Sequence, residues 1–213
     1  MTENKQENQP KKRRAIVYID GFNLYFALRD KNWKNLMWLD LVKLAQSLVR
    51  PDQELARVKY FTARIRNNPQ KQARQNAFLD ALATLDKLEI CEGMYQPNKV
   101  LCFGCGREWS DDKEKQTDVS IATAMLTDAY RDFVDDIILI TADSDQCPAM
   151  REVRALGKHV LLVIPPGRAD YLEIQKHADS RLELTKRKFR ESQLPEEVTL
   201  KSGHVIKKPD KYK

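Results

Sequence analysis

Short apolar runs rich in β-branched residues alternate along the chain with longer segments in which apolar positions recur at helical spacing. The runs that predict buried strands are Ala15–Asp20, Ala56–Arg64, Leu88–Tyr95, Ile137–Thr141 and His159–Ile164. Ile137–Thr141 is the most apolar, so we expect a central strand there, with His159–Ile164 beside it. This alternation is typical of parallel βαβ units.

Amphipathic helices are predicted between these strands. In the segment Pro69–Lys87 one apolar stripe follows helical spacing, formed by Ala73, Ala77, Phe78, Ala81, Leu82 and Leu85. Further helices are predicted at Thr117–Arg131, Asp40–Val49 and Pro148–Leu156, the last ended by Gly157. The sequence therefore predicts an α/β fold, a three-layer α/β/α sandwich around a mainly parallel central sheet.

The domain is expected to span residues 14–185. Within it, residues 96–115 show no helical or strand periodicity and contain CFGCGREWSDDKEK, so we expect a long cysteine-containing loop. Residues 1–13 are expected to form a flexible basic N-terminal tail, and residues 186–213 a basic C-terminal tail.

Charge and composition exclude several classes of protein. The formal net charge is +6. Residues 1–14 carry +3, residues 186–213 carry +5, and residues 15–185 therefore carry −2. Basic tails attract polyanions without specifying one, and they also keep proteins soluble. No apolar run approaches the roughly 20 residues that cross a bilayer, and no secretory signal is recognisable, so we expect a cytoplasmic protein without membrane contact.

Acidic residues follow two of the predicted strands and begin one helix. Asp20 ends the first strand and precedes Gly21, which permits a sharp turn; Asn23 follows in the next helix. Asp143 and Asp145 follow the central strand, and Asp118 lies at the start of a helix. Ligands of open parallel sheets bind at the carboxyl ends of the strands. Together these carboxylates would suit Mg²⁺ or Mn²⁺, and such a site fits phosphodiester cleavage.

Each of these residues also has a purely structural interpretation. Asp118 could cap its helix, and Asp143 or Asp145 could cap the helix that follows the central strand. Asn23 could orient a ligand or be only a polar residue of an early helical turn. Asp20 is harder to explain structurally, because a buried acid is costly without a partner or a metal.

Four segments carry a resemblance to a known family: YIDGFNLYF (18–26), KQTDVSIATAML (115–126), ILITADSDQCPAMREVRALGKHVLLVIPPG (138–167) and SQLPEEV (192–198). Together they resemble the bacterial NYN domain of the PIN-like nuclease superfamily. The resemblance implies a PIN-like, Rossmann-related fold and a metal-dependent ribonuclease that hydrolyses RNA, and we expect it to be an endoribonuclease. It implies catalytic roles for Asp20, Asn23, Asp118, Asp143 and Asp145, with the four aspartates holding Mg²⁺ or Mn²⁺.

Two departures from the family pattern lie beside the acids. Thr141-Ala142 replaces the usual Ser-Gly and keeps a hydroxyl and a small residue before Asp143. Gln146-Cys147 replaces an apolar pair, so packing beside the site is expected to differ. Neither departure removes an implied metal ligand, and we expect a competent enzyme.

The cysteines suggest a second kind of site. Cys102 and Cys105 have the spacing of a zinc knuckle, but a structural Zn²⁺ needs four ligands. Zinc would therefore require ligands from elsewhere in the chain or from a second subunit, and it is not the favoured interpretation. Cys91 is interpreted as a small buried apolar residue. A homo-oligomer is left open by the sequence.

RNA is the expected partner, and cations and aromatic rings near the acids would contact it. The candidates are Arg64, Arg66, Lys71, Arg74, Arg107 and Trp109, each of which could equally be an ordinary surface residue. Three alternative functions stay open: a non-catalytic RNA-binding or scaffold protein that retains the pocket, a Toprim-like enzyme, and a Mg²⁺-dependent phosphotransfer enzyme that would use Lys158.

Overall fold

Seven strands form the central sheet of the computed structural model, which describes residues 11–66, 68–96, 99–101, 103–110, 113–169 and 172–212. The first half of the chain forms β1 (Arg13–Asp20), α1 (Gly21–Asp30), α2 (Leu41–Gln46), β2 (Gln53–Ala63), α3 (Pro69–Leu82), β3 (Leu88–Gln96), β4 (Lys99–Leu101), β5 (Glu108–Ser110) and β6 (Lys113–Lys115). The second half forms α4 (Thr117–Tyr130), β7 (Asp136–Ile140), α5 (Cys147–Ala155), β8 (His159–Ile164), α6 (Leu172–Gln175), β9 (Ser180–Glu183), α7 (Lys186–Glu191), β10 (Glu197–Thr199) and β11 (Val205–Lys207).

The order of the strands in the sheet is β6-β3-β2-β1-β7-β8-β9. Six strands run parallel, and β6 pairs antiparallel with β3. The register aligns Asp20 with Phe61 and Ile19 with Ile140, so β1, β2 and β7 end at the same edge. The predicted α/β class, the mainly parallel sheet and the pairing of β7 with β8 are confirmed.

Helices cover both faces of the sheet, because successive residues of each buried strand point to opposite sides. In β1, Val17 and Ile19 belong to the core under α1, α2 and α3, while Ile16 and Tyr18 belong to the core under α4 and α5. Fully burying one such large apolar side chain contributes about 2 kcal/mol to folding. These two cores give the three predicted layers.

The segment expected to be a long loop contains short strands. Strands β4 and β5 form a hairpin, and β6 joins the edge of the central sheet. The expectation of a loop without strands is wrong here, since strands of three residues are too short to show a periodic pattern. Cys102 lies outside the described residues, and Cys105 is exposed.

The segment after residue 185 differs from the expected basic tail. It forms α7, β10 and β11, and four of its apolar side chains join the core beside α1 and α2: Phe189, Leu194, Val198 and Ile206. Trp38 also donates a hydrogen bond of 2.7 Å from its Nε1 to the carbonyl oxygen of Pro195. The charged residues between these widely spaced apolar positions conceal the packing in the sequence. No helix of the described residues is long and apolar enough to span a membrane.

Candidate active site

The carboxyl edge of the sheet begins with the junction of β1 and α1. Asp20 ends β1, and its carboxylate caps α1 by accepting a hydrogen bond of 3.0 Å from the backbone N–H of Asn23. Gly21 is required here by a close approach: a Cβ on it would lie 2.5 Å from the carbonyl oxygen of Phe61 on β2. Glycine therefore lets Asp20 leave the sheet directly against the neighbouring strand.

Asp20 is the most buried acid of the site, with 2% of its surface exposed. Its Oδ2 accepts hydrogen bonds from the side-chain amide of Asn23 at 2.7 Å and from the hydroxyl of Thr141 at 2.9 Å. Burial raises the pKa of Asp20 above its ordinary value, and these hydrogen bonds oppose the rise. Asn23 also accepts from the backbone N–H of Ala142 at 3.3 Å, so one amide connects β1 to the end of β7.

Three other acids converge beside Asp20. Carboxylate oxygens of Asp118, Asp143 and Asp145 lie within 4.8 Å of one another. Asp143 caps the short 3-10 helix at Ser144–Gln146 by accepting from the backbone N–H of Asp145 at 3.0 Å. Asp118 lies in the first turn of α4 and does not cap it, because the helix begins after Gln116 without a side-chain cap. The predicted acids are therefore brought together, two of them also serving as caps.

The electrostatics of this cluster are unfavourable without a cation. Burial, followed by the negative charges of Asp143, Asp20 and Asp145, raises the pKa of Asp118 to about 6. The charged neighbours that shift this pKa are thus all carboxylates. Like charges at such short distances disfavour one another's ionised forms, and a bound cation would remove that repulsion.

Gln146 contacts the backbone of Asp118 beside the acidic cluster, a role that no sequence motif indicated. Its side chain is fully buried, and its Nε2 donates to the carbonyl oxygen of Asp118 at 3.1 Å. The Oε1 atom of Gln146 and the hydroxyl of Thr117 are buried without a hydrogen-bond partner among the described residues. Of the pair Gln146-Cys147, Gln146 makes a polar contact that joins α4 to the turn after Asp143, and Cys147 packs against the apolar core.

A cleft of about 580 Å³ connects the acids to a second group of side chains. Asp20, Asn23, Asp118 and Asp143 line it at the acids, and Phe22, Phe26, Arg29, Asp30 and Arg168 line it along and beside α1. The acidic end sits where the two strand ends and the first turn of α4 meet. An extended ligand in this cleft would contact both ends at once.

A model of the NYN domain matches residues 14–181 of the 213-residue chain. The chain belongs to the NYN domain family. NYN domains are part of a nuclease superfamily, and NYN nucleases generally depend on a divalent metal. The resemblance noted in the sequence is therefore confirmed at the level of the family.

Two further proteins are similar to this NYN domain. The 6-hydroxy-3-succinoylpyridine 3-monooxygenase HspA of Pseudomonas putida is 29% identical over an alignment covering 67% of this chain and 56% of HspA. The chain thus spans about half the length of that curated relative. A crystal structure of a protein of unknown function from Vibrio parahaemolyticus has a TM-score of 0.51 at 18% identity, covering 86% of this chain and 97% of the other. That likeness concerns the fold alone.

The donor set of this NYN domain fits a hard divalent cation. Three carboxylates offer oxygen atoms close enough to share one ion, which is the ligand type that Mg²⁺ and Mn²⁺ prefer. Asp20 is outside this group of three, and its oxygens accept hydrogen bonds from Asn23 and Thr141. Its charge still acts on Asp118.

The cations proposed to contact RNA are placed differently from expectation. Arg64 pairs with Glu92 on β3 at 2.7 Å and donates to Asn76, so its charge is directed away from the cleft. Arg66, Lys71 and Arg107 are exposed, and Arg74 is half-buried; none of these described side chains lines the cleft. The side chain of Trp109 lies outside the described residues. Arg29 and Arg168 line the cleft instead, and no sequence motif indicated them.

Proposed function

We propose that this NYN domain is a metal-dependent ribonuclease that hydrolyses RNA phosphodiester bonds at the carboxyl edge of its sheet. The observation that carries the proposal is the convergence of Asp118, Asp143 and Asp145, with the pKa of Asp118 raised by burial and then by its acidic neighbours. Membership of the nuclease superfamily supports it. Endonucleolytic cleavage in the cytoplasm is part of the same proposal.

Asp118, Asp143 and Asp145 would hold Mg²⁺ or Mn²⁺, with Asp20 contributing a fourth negative charge. Such an ion, when bound, activates water and neutralises the charge that develops on the phosphate. The chain's own residues set the geometry: Asn23 and Thr141 hold Asp20, and the 3-10 turn holds Asp143. Preorganised ligands of this kind need no rearrangement as the reaction proceeds.

The test is cleavage of single-stranded and structured RNA, with matched DNA, in Mg²⁺, in Mn²⁺ and in EDTA. We expect EDTA to abolish cleavage, and Asp143→Asn and Asp20→Asn to lower the rate at least about 100-fold, because several kcal/mol of charge stabilisation are lost. Asp86→Asn is the matched control, since Asp86 is exposed and lies away from the cleft. Cleavage that survives both active-site substitutions would contradict the proposal.

The alternative functions give different results in the same assay. A scaffold protein would bind RNA but leave it intact in every metal, and a phosphotransfer enzyme would act on small phosphoesters. The phosphotransfer alternative requires a lysine near the acids. Lys158, the candidate, precedes β8, pairs with Asp132 at 2.5 Å and does not line the cleft. The activity named for HspA belongs to a protein that this chain only partly covers.

A further inference from the structure

The end of the cleft opposite the acids is built largely from one face of α1. Phe22, Phe26 and Arg29 are spaced i, i+4 and i+7, so they lie on the same side of the helix. The opposite side carries Leu24 and Leu28, which are buried in the core. We call Phe22, Phe26, Arg29 and Arg168 the α1 ledge.

The aromatic part of the ledge is exposed to solvent, and a guanidinium group lies over one of its rings. Phe26 is 37% exposed, and the guanidinium carbon of Arg29 lies 4.5 Å from the centre of its ring. The rings of Phe22 and Phe26 are 6.4 Å apart. Guanidinium planes and aromatic rings both stack with nucleic-acid bases. The ledge therefore offers a stacking surface rather than an apolar patch.

The cationic part of the ledge is held in place by one carboxylate. Arg168 and Arg29 donate to Asp30 at 2.6 and 2.9 Å, which orders both guanidinium groups and leaves one positive charge in excess. Arg168 follows a turn in which Gly167 has a φ of +75°, and a Cβ at that position would collide with the side chain of Lys31. The backbone thus brings Arg168 to α1 from the end of β8.

The two ends of the cleft have complementary charges for a polynucleotide. The acids repel phosphate unless a cation is bound, whereas the arginines attract phosphate directly. A chain that places one phosphate at the acids would carry its neighbouring nucleotide toward the ledge. The faces of its bases must then be free, which they are in a single strand but not in a stacked duplex.

We propose that the α1 ledge binds the nucleotide next to the scissile phosphate of a single-stranded nucleic acid, with a base stacked on the Phe26–Arg29 pair and a phosphate at Arg168. The inference rests on the proposed nuclease function and names its substrate class. RNA and DNA strands share the base and the phosphate that the ledge contacts, so the experiment compares both.

The test is binding of fluorescent oligonucleotides to the full chain in EDTA, where nothing is cleaved, followed by cleavage in Mn²⁺. We expect Phe26→Leu to weaken single-strand binding about tenfold while leaving duplex binding unchanged. Phe26→Tyr keeps a ring and should restore binding, which separates stacking from folding. Arg168→Gln should reduce the dependence of log affinity on log salt by about 0.7.

The controls are an aromatic residue and an arginine outside the cleft. Tyr130 is 83% exposed at the end of α4, and Arg187 pairs with Glu191 on α7. Tyr130→Leu and Arg187→Gln should bind and cleave like the wild-type chain. The proposal is overturned if Phe26→Leu binds single strands as well as Tyr130→Leu does, or if duplex binds as tightly as single strand.

The ledge and the nuclease proposals fail separately. Loss of single-strand binding in Phe26→Leu, with no cleavage by any variant, would keep the ledge and reject the nuclease. Metal-dependent cleavage with unchanged binding by Phe26→Leu would keep the nuclease and reject the ledge. A difference between RNA and DNA that persists in Phe26→Leu would place the discrimination of the two sugars elsewhere in the cleft.

Discussion

The aspartates at the two edges of the central sheet have opposite electrostatic surroundings. At the amino edge, where the strands begin, each acid has a basic partner: the guanidinium of Arg13 donates to Asp136 at 2.7 and 3.0 Å, and Arg14 donates to Asp135 at 2.8 Å. The side-chain hydrogen bond from Arg14 lowers the pKa of Asp135 well below its ordinary range. Both of these aspartates are therefore paired with a cation of the chain.

At the carboxyl edge, aspartates lie close to other aspartates. The pKa of Asp20 and that of Asp118 are both raised, first by burial and then by acidic neighbours. A basic partner favours the ionised form of an acid, whereas a cluster of like charges disfavours it, and groups with such raised pKa values are frequent at functional sites. The two edges therefore differ in the direction of the pKa shifts of their aspartates, which is downward at Asp135 and upward at Asp20 and Asp118.

The largest expected effect on folding comes from the amino edge. Asp136 is 1% exposed, and Asp136→Asn removes the charge that faces Arg13. We expect the free energy of unfolding to fall by about 2 kcal/mol, because the buried carboxylate loses its charge-assisted hydrogen bonds while the half-exposed guanidinium of Arg13 stays solvated. Asp52→Asn is the control, since its partly exposed pair with Arg50 should be worth less than about 1 kcal/mol. Equal losses in urea melts of the two variants would reject this contrast.

A smaller effect is expected from the residue that supports the acids. Gln146→Met keeps the volume of the side chain but removes its hydrogen bond to the carbonyl of Asp118. We expect Mn²⁺ affinity to fall about tenfold, as for other residues that orient metal ligands. Gln193→Met is the matched control, because Gln193 donates to Phe189 and Leu36 elsewhere in the fold. Calorimetric titrations in which both variants bind Mn²⁺ equally would show that Gln146 does not position the site.

The smallest effects should have opposite signs at the two edges. The pKa of Asp118 is above its ordinary 3.8, so the folded chain binds more protons than the unfolded chain between about pH 4 and 6, and its ionisation costs stability above that window. In EDTA at pH 7.5, Asp118→Asn should therefore stabilise the chain, by about 1 kcal/mol after allowance for solvent screening.

Asp135→Asn is the counterpart with a lowered pKa. Its ionised form stabilises the fold at every pH above 3.8 and loses that contribution only as the pH falls further. We expect a loss of about 1 kcal/mol that persists at pH 4, where the gain from Asp118→Asn has faded. Urea melts at pH 7.5 and pH 4 measure the free energy of unfolding of Asp118→Asn and Asp135→Asn. Changes of the same sign at pH 7.5 would contradict the opposite electrostatics of the two edges.

The sequence predicted the scaffold and the proximity of the acids at one edge of the sheet. The strands have strong apolar runs, and parallel strands necessarily end at one edge, so the convergence of Asp20 and Asp143 followed from the order of the elements. Asp118 was found because a polar residue at a helix start stands out from an apolar stripe. The family resemblance indicated which of the acidic residues to expect as metal ligands.

The remaining features depend on contacts between distant parts of the chain. The C-terminal segment packs through isolated apolar residues such as Phe189, and the three-residue strands pair without a detectable pattern. Arg168 reaches α1 only because β8 ends beside it, and Arg64 is turned away by Glu92 on the next strand. Lys158 lies before β8 and pairs with Asp132, a contact between two distant parts of the chain that no sequence pattern indicates.

The most direct test of the acidic cluster as a metal site is a Mn²⁺ titration of the full chain, monitored by electron paramagnetic resonance. It compares wild type, Asp143→Asn and Asp135→Asn. We predict saturable Mn²⁺ binding by the wild type and by Asp135→Asn, and its loss in Asp143→Asn. Equal binding by Asp143→Asn, or none by the wild type, would contradict the assignment of the acidic cluster as a metal site.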